Sequence, residues 1–461
     1  MSLPLMKKPA IRQSLAVTIA TLMMTATHAA SAEQQEIAQL RAEVEALKAL
    51  IQQNFPQVQQ ASVVAKSAPL TTTSPAVEKT PVVSAVTATN SEKSSPLQFK
   101  TAGGSEVKLY GFVRGDASYQ VDGGNAIFNR INAVSLDNTA DQNKTQDRFY
   151  STATTTRFGL DFKTPIEGQE LGAKVEVDFR GSNDSLRIRH AYLTLNHWLF
   201  GQTTSSFLAT DLQPEMLDFN SPLGIGTFRT PMLRYSDKLA TDTSYFLGLE
   251  KGRDDNRFPA LTAKLKQNFA AGKGTSSLRL LAQELRSRDA FEDVKDADGV
   301  VVGKKQVSQD SSEFSWGLAV GAKYQITAKL QIMGDYSHVK GDDKFLLYTN
   351  TAYNVGPETT DLNLNEFDAL TVGTTYQFNP KVRGTLGYGL MLANDSNDFA
   401  DYLAVTDSVQ NKTLQQGWLN VMYNPVTPVT LGVEYIYGER ETFSGVKGKD
   451  NRVGAMARYN F

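Results

Sequence analysis

The chain has 461 residues, of which 41% are hydrophobic, 21% are charged and none is cysteine. Such a sequence cannot be a bundle of membrane helices, each of which needs about 20 consecutive apolar residues. Disulfides, thiolate metal sites and cysteine nucleophiles are excluded as well, and a net charge of −2 offers no bulk basic field for nucleic acid.

The totals hide a boundary. All 34 glycines lie at Gly103 or later, all 17 tyrosines at Tyr110 or later, and no aspartate precedes Asp116. Residues 1–32 read as a secretory signal peptide. Lys7, Lys8 and Arg12 give a positive start, Ser14 to Ala26 carries no charge, and Ala30-Ser31-Ala32 is a small-x-small cleavage site.

Residues 33–54 have a helical period. Ile37, Leu40, Val44, Leu47 and Ile51 are spaced 3, 4, 3, 4, an a/d seam. Glu36 and Glu43 fall at g, and Arg41 and Lys48 at e, so a parallel coiled coil would attract across its interface. Branched residues at a with Leu at d lean toward a dimer, but a seam under three heptads is marginal alone. It cannot set the oligomer number against a larger interface. Residues 55–105 are rich in Ser, Thr, Ala, Val and Pro and read as a disordered linker.

From residue 106 the period becomes two. Leu330–Tyr336, Leu171–Phe179, Phe314–Tyr324, Val429–Tyr437 and Val453–Phe461 alternate apolar with polar or small residues. Lys174-Val-Glu176-Val-Asp178 puts charge on one face in mid-strand, and that face needs water. A barrel with lipid outside and water inside supplies both surroundings. Connections alternate short and long. Short links near 164–170, 196–198, 237–242, 268–273, 325–328, 378–381 and 424–428 interleave with longer ones near 121–152, 204–231, 286–312, 340–363 and 393–415. Three lesser links, at 181–185, 251–257 and 441–450, fill the remaining long-side slots. Seven turns and eight loops predict an all-β, 16-stranded antiparallel transmembrane barrel over 106–461, wide enough to leave an aqueous channel. A soluble β-helix would repeat at a fixed period with uniform turns, and these links do not. Phe461 and Tyr459, with Ala457, Ala455 and Val453, share one face of the last strand. That pattern resembles the signal read by the barrel-assembly machinery.

Strand parity assigns an inside face. Arg114, Arg157, Lys174, Arg180, Arg187, Arg189, Arg440, Arg452 and Arg458 fall on it where the barrel closes, and the acids concentrate in loops such as Asp289–Asp298 and Asp395–Asp407. A cationic wall in a low-dielectric pore concentrates anions and can hold carboxylates with paired guanidinium contacts. The third long link carries Asp211, Glu215 and Asp218, and Arg229 near its end. Its length and slot resemble the constriction loop of general porins, which would set these acids opposite the basic wall. Of the histidines, parity places His190 and His338 outside and His197 in a turn, while His28 leaves with the signal peptide. No nucleophile–base pair or metal site is expected, so an outer-membrane hydrolase is the least supported alternative. No cofactor is implied. An anchor or adhesion barrel tethered to the cell wall is the remaining alternative, yet an anchor needs only about eight strands.

The order of parts resembles the trimeric general-type porins and, more closely, the DcaP-like dicarboxylic-acid porins. The features that carry it are the signal peptide, the Ile37–Ile51 coiled coil, the linker, Lys108-Leu-Tyr-Gly-Phe-Val-Arg-Gly-Asp116 opening the barrel, Arg187-Ile-Arg-His-Ala-Tyr-Leu193, Arg234-Tyr235 and the terminal Phe461. The resemblance implies a Gram-negative outer-membrane homotrimer embedded in lipid, a coiled coil in the periplasm, and diffusion of small anionic, dicarboxylate-type solutes through a basic eyelet.

Overall fold

The computed structural model describes residues 97–461 apart from 221, 298, 347–349, 356–360 and 407–408. The signal peptide, the coiled-coil core and most of the linker lie outside the described residues. The barrel strands are β1 (Glu106–Asp122), β2 (Arg148–Thr152 and Arg157–Ile166), β3 (Gln169–Asp178), β4 (Arg187–Leu195), β5 (Trp198–Thr204), β6 (Arg229–Ala240), β7 (Thr243–Glu250) and β8 (Ala260–Phe269). They continue as β9 (Gly274–Lys295), β10 (Val301–Gln325), β11 (Leu330–Lys340), β12 (Glu366–Asn379), β13 (Val382–Ala393), β14 (Asn411–Tyr423), β15 (Val429–Thr442) and β16 (Lys447–Asn460). Each pairs antiparallel with the next, and β16 pairs with β1, so the sheet is a closed barrel of sixteen strands as expected. A short edge strand, Leu97–Lys100, pairs with the foot of β1.

Alternation sets the two faces. Along β15, Leu431, Val433, Tyr435 and Tyr437 are exposed to the lipid side, while Thr430, Gly432, Glu434 and Ile436 are buried within. At the seam, Phe461 and Gly111 exchange backbone hydrogen bonds of 3.1 and 3.2 Å. Gly111 has φ +156°, and a Cβ there would lie 2.2 Å from the Arg157 carbonyl oxygen. The closing register therefore requires glycine.

The short links are turns and the long ones loops, with one difference. The segment expected as a loop at 286–312 is mostly ladder, paired from Arg286↔Ser312 to Lys295↔Val301. It stands beyond the lipid, where neither face must be apolar, so no alternation marks it. Helix α1 (Asp398–Val405) lies in the seventh loop, where Asn397 caps it by accepting from the Ala400 N–H at 2.9 Å.

Three loops fold into the barrel. Ile131 and Val134 of the first loop, Phe207, Leu208 and Leu223 of the third, and Phe345 and Leu346 of the sixth form one buried apolar cluster. It rests on wall residues that include Leu281, Val339, Phe367 and Met391. Burial of each large side chain contributes about 1.5–3 kcal/mol. The inner face of β9–β15 is thus covered by packed protein.

Candidate functional site

The third loop runs along the inner wall and is pinned at each of its acids. Asp211 meets Lys264 at 2.8 Å and Lys266 at 3.0 Å, and its carbonyl accepts from Lys323 at 2.7 Å. Burial works to raise the Asp211 carboxyl, but the two ammonium groups prevail and hold it well below the usual carboxylate range. Glu215 is held by Arg383 through two 2.7 Å bonds, while its carbonyl accepts from Trp418 and Asn420 at 3.0 Å. Asp218 pairs with Arg452, which Asp450 also holds at 3.0 Å. The expectation that these acids face the basic wall across the pore is therefore corrected: each is neutralised by a cation of the wall behind the loop. Wall glycines make room for this course. A Cβ at Gly373 would lie 2.5 Å from Pro214, and one at Gly389 would lie 2.7 Å from the Leu223 Cβ.

The loop tip is gripped on both polarities. Glu434 accepts the Leu217 and Asp218 N–H groups at 2.7 and 2.8 Å, and Arg114 donates to the Leu217 carbonyl at 2.5 Å. Phe219, next along the chain, is thereby held toward β2–β4. The guanidinium groups of Arg114, Arg157, Arg180 and Arg189 lie 5.5–5.8 Å from its ring centroid. Phe128 of the first loop lies 6.1 Å from Phe219, and Arg180 stands 4.8 Å over the Phe128 ring. Sequence reasoning missed the inward fold of the first loop. Its only local signal is the apolar group Ile127, Phe128 and Ile131 inside an otherwise polar loop.

The candidate eyelet is the wall facing Phe219. Arg187 clasps Asp178 at 2.9 and 2.6 Å, and Arg189 donates to Glu176 at 2.7 Å and to Asp178 at 3.0 Å. Arg157 stands 3.4 Å from Glu176. Arg229 opens β6, with Arg157, Arg187, Arg189 and Glu176 as its charged neighbours. Its Nε is buried without a hydrogen-bond partner among the described residues. Neither Arg180 nor Arg229 has a carboxylate within salt-bridge distance among the described residues. Five arginines thus gather on Glu176 and Asp178, and the other acids near Arg180, Asp116 and Asp218, are already bound by Arg114 and Arg452, so cations outnumber acids along this wall.

The other expected wall residues divide. Lys174 pairs with Asp161 at 3.1 Å and lies 4.8 Å over Tyr110, below the eyelet. Arg458 lies 5.7 Å over Phe112. Arg114, Arg440 and Arg452 are buried braces: Arg114 is bound to Asp116, Arg440 donates to the carbonyls of Asn132 and Val134, and Arg452 donates to that of Ile127. Parity placed them on the correct face, but it could not show that loops would cover them. His190 is a correction. The β3–β4 register runs Glu176↔His190 and then Val177↔Ile188, so a bulge at Arg189 turns both Arg189 and His190 inward. His190 lies 3.7 Å from Glu176 and 2.9 Å from the Thr203 hydroxyl. Tyr459 is exposed on the outer face, and the Phe461 ring lies 5.8 Å from Phe158.

A closed sixteen-strand barrel, lipid-facing outside and narrowed inside by a pinned third loop, defines an outer-membrane channel of the porin class. The family model described as DcaP outer membrane protein matches residues 35–461, and the chain belongs to that family. Among solved structures, it is similar to the outer membrane channel DcaP of Acinetobacter baumannii, with 41% identity and a TM-score of 0.68 over 79% of this chain and 99% of that one. OmpT of Vibrio cholerae shares the fold at 16% identity and a TM-score of 0.52, over 79% of this chain and 100% of that one. No curated protein sequence matches the chain.

Proposed function

We propose that this outer-membrane porin conducts small anions, with dicarboxylate-type solutes preferred, through the lumen along the arginine wall. The observation that carries this reading is the eyelet's charge: Arg157, Arg180, Arg187, Arg189 and Arg229 gather on Glu176 and Asp178, while the further acids near Arg180, Asp116 and Asp218, are bound by Arg114 and Arg452. A surplus of fixed cations in a narrow lumen with low-dielectric walls raises the local anion concentration and repels cations. A solute with two carboxylates brings two negative charges and four acceptor oxygens to this wall, so it can hold paired contacts with more guanidinium groups than a monocarboxylate can. In the same reading the chain is exported by its signal peptide, inserted by the barrel-assembly machinery through its Phe461 end, and assembled as a trimer. Residues 33–54 then form a coiled coil in the periplasm.

Planar-bilayer recordings across a potassium chloride gradient test the proposal. The reversal potential is expected on the anion side, and Arg180→Gln with Arg229→Gln is expected to move it toward zero. A cation-side reversal potential in the unmodified protein would overturn the reading.

A further inference from the structure

A second group of cations lies nearer the turn end of the pore. Arg234 is five residues beyond Arg229 on β6, roughly 17 Å along the strand. Its Nε is buried without a hydrogen-bond partner, and no carboxylate lies within salt-bridge distance of it among the described residues. Its guanidinium stands 5.8 Å over the Phe246 ring. In the β7–β8 register Phe246 is directly opposite Lys264. Lys264 and Lys266 share the single carboxylate of Asp211, at 2.8 and 3.0 Å, and Lys323 reaches only its carbonyl. Three ammonium groups thus gather on one carboxylate, leaving two positive charges, and Arg234 beside them is opposed by Glu250 only beyond salt-bridge distance.

We propose that Arg234, Lys266 and Lys323, with Phe246 as an apolar floor, form a second oxyanion station on the turn side of the eyelet. The inference rests on the anion-channel reading and extends it. Arg234 has Glu250 as an opposing charge, but only beyond salt-bridge distance, and the ammonium groups on Asp211 outnumber its one carboxylate; an arriving oxyanion relieves that excess. A single deep well would trap a solute, whereas two wells in series let one anion displace another forward. The recognised chemistry is a small oxyanion, either a carboxylate or a phosphate.

The test uses the full-length protein in planar bilayers, with succinate or inorganic phosphate added to one side while block of the chloride current is recorded. Arg234→Gln with Lys323→Gln is expected to weaken block from the turn side about tenfold, the loss of one to two charge-assisted contacts. Block from the loop side should change much less, and Arg229→Gln should show the opposite pattern. Lys266→Gln supplies a second variant should the double variant fail to assemble. A response to succinate alone assigns the station to carboxylates, and a response to both anions assigns it to oxyanions generally. Equal weakening from both sides, or none from either, would overturn the second station. A wild-type channel without anion preference would overturn the channel reading first and the station with it, and the reversal potential alone separates these results.

Discussion

The carboxylate of Glu434 on β15 accepts the backbone N–H of Leu217 at 2.7 Å, joining the wall to the tip of the third loop. Glu434 also takes the N–H of Asp218 at 2.8 Å and the side-chain amide of Asn420 at 2.9 Å. Glu434→Ala leaves two buried N–H groups unmade, at about 1–3 kcal/mol each. Phe219 then loses its fixed place. Open-channel noise should rise and anion preference fall, while Glu434→Gln, which keeps an acceptor, should lie between. Unchanged noise in the alanine variant would show that Arg114 and Arg452 hold the tip unaided.

Asp211→Asn removes the one carboxylate shared by Lys264 and Lys266. Breaking a buried ion pair from one side costs about 3–5 kcal/mol. The midpoint of thermal unfolding should drop, and anion preference should increase because a fixed negative charge is gone. The two changes have opposite signs for stability and selectivity, so general misfolding cannot imitate them.

Gly389→Leu should narrow the pore. A side chain there collides with Leu223, whose carbonyl oxygen would already lie 3.0 Å from a new Cβ. The loop must move toward the arginine wall, and single-channel conductance should fall. Conductance equal to wild type would mean that the loop can shift sideways along the wall.

Asp342, at the start of the sixth loop, accepts the N–H groups of Lys344, Phe345 and Leu346 at 2.9–3.0 Å and is fully buried. Burial pushes its carboxyl up to about 6, against the opposing pull of those three N–H donors. A raised acid binds its proton more tightly in the docked loop than in the undocked one. Docking is therefore most favoured below the ordinary carboxylate range and weakens as pH rises through about 6, by roughly 3 kcal/mol in all. Limited proteolysis of the sixth loop should be faster at pH 8 than at pH 5, and Asp342→Asn should level the two rates.

Strand parity made the barrel legible, because lipid outside and water inside force the period-two pattern on residues such as Lys174, Glu176 and Val433. The third loop was legible from its length and slot. Parity gives a side chain's face but not what lies against that face. Arg114, Arg440 and Arg452 point inward as read, yet loop carbonyls and carboxylates cover them. The Arg189 bulge shifts parity by one residue, and no local sequence signal marks it, so His190 was placed on the wrong side. Phe128 meets Phe219 only once both loops have folded inward.

The apolar cluster of Ile131, Phe207 and Phe345 draws on three loops far apart along the chain. It cannot be completed until the strands between those loops have joined the sheet, since each such contact closes a long stretch of chain. The ladder can close first, and a closed ladder with its loops still outside is an unobstructed tube. A variant whose barrel closes normally but whose loops dock slowly would therefore leak before it filters.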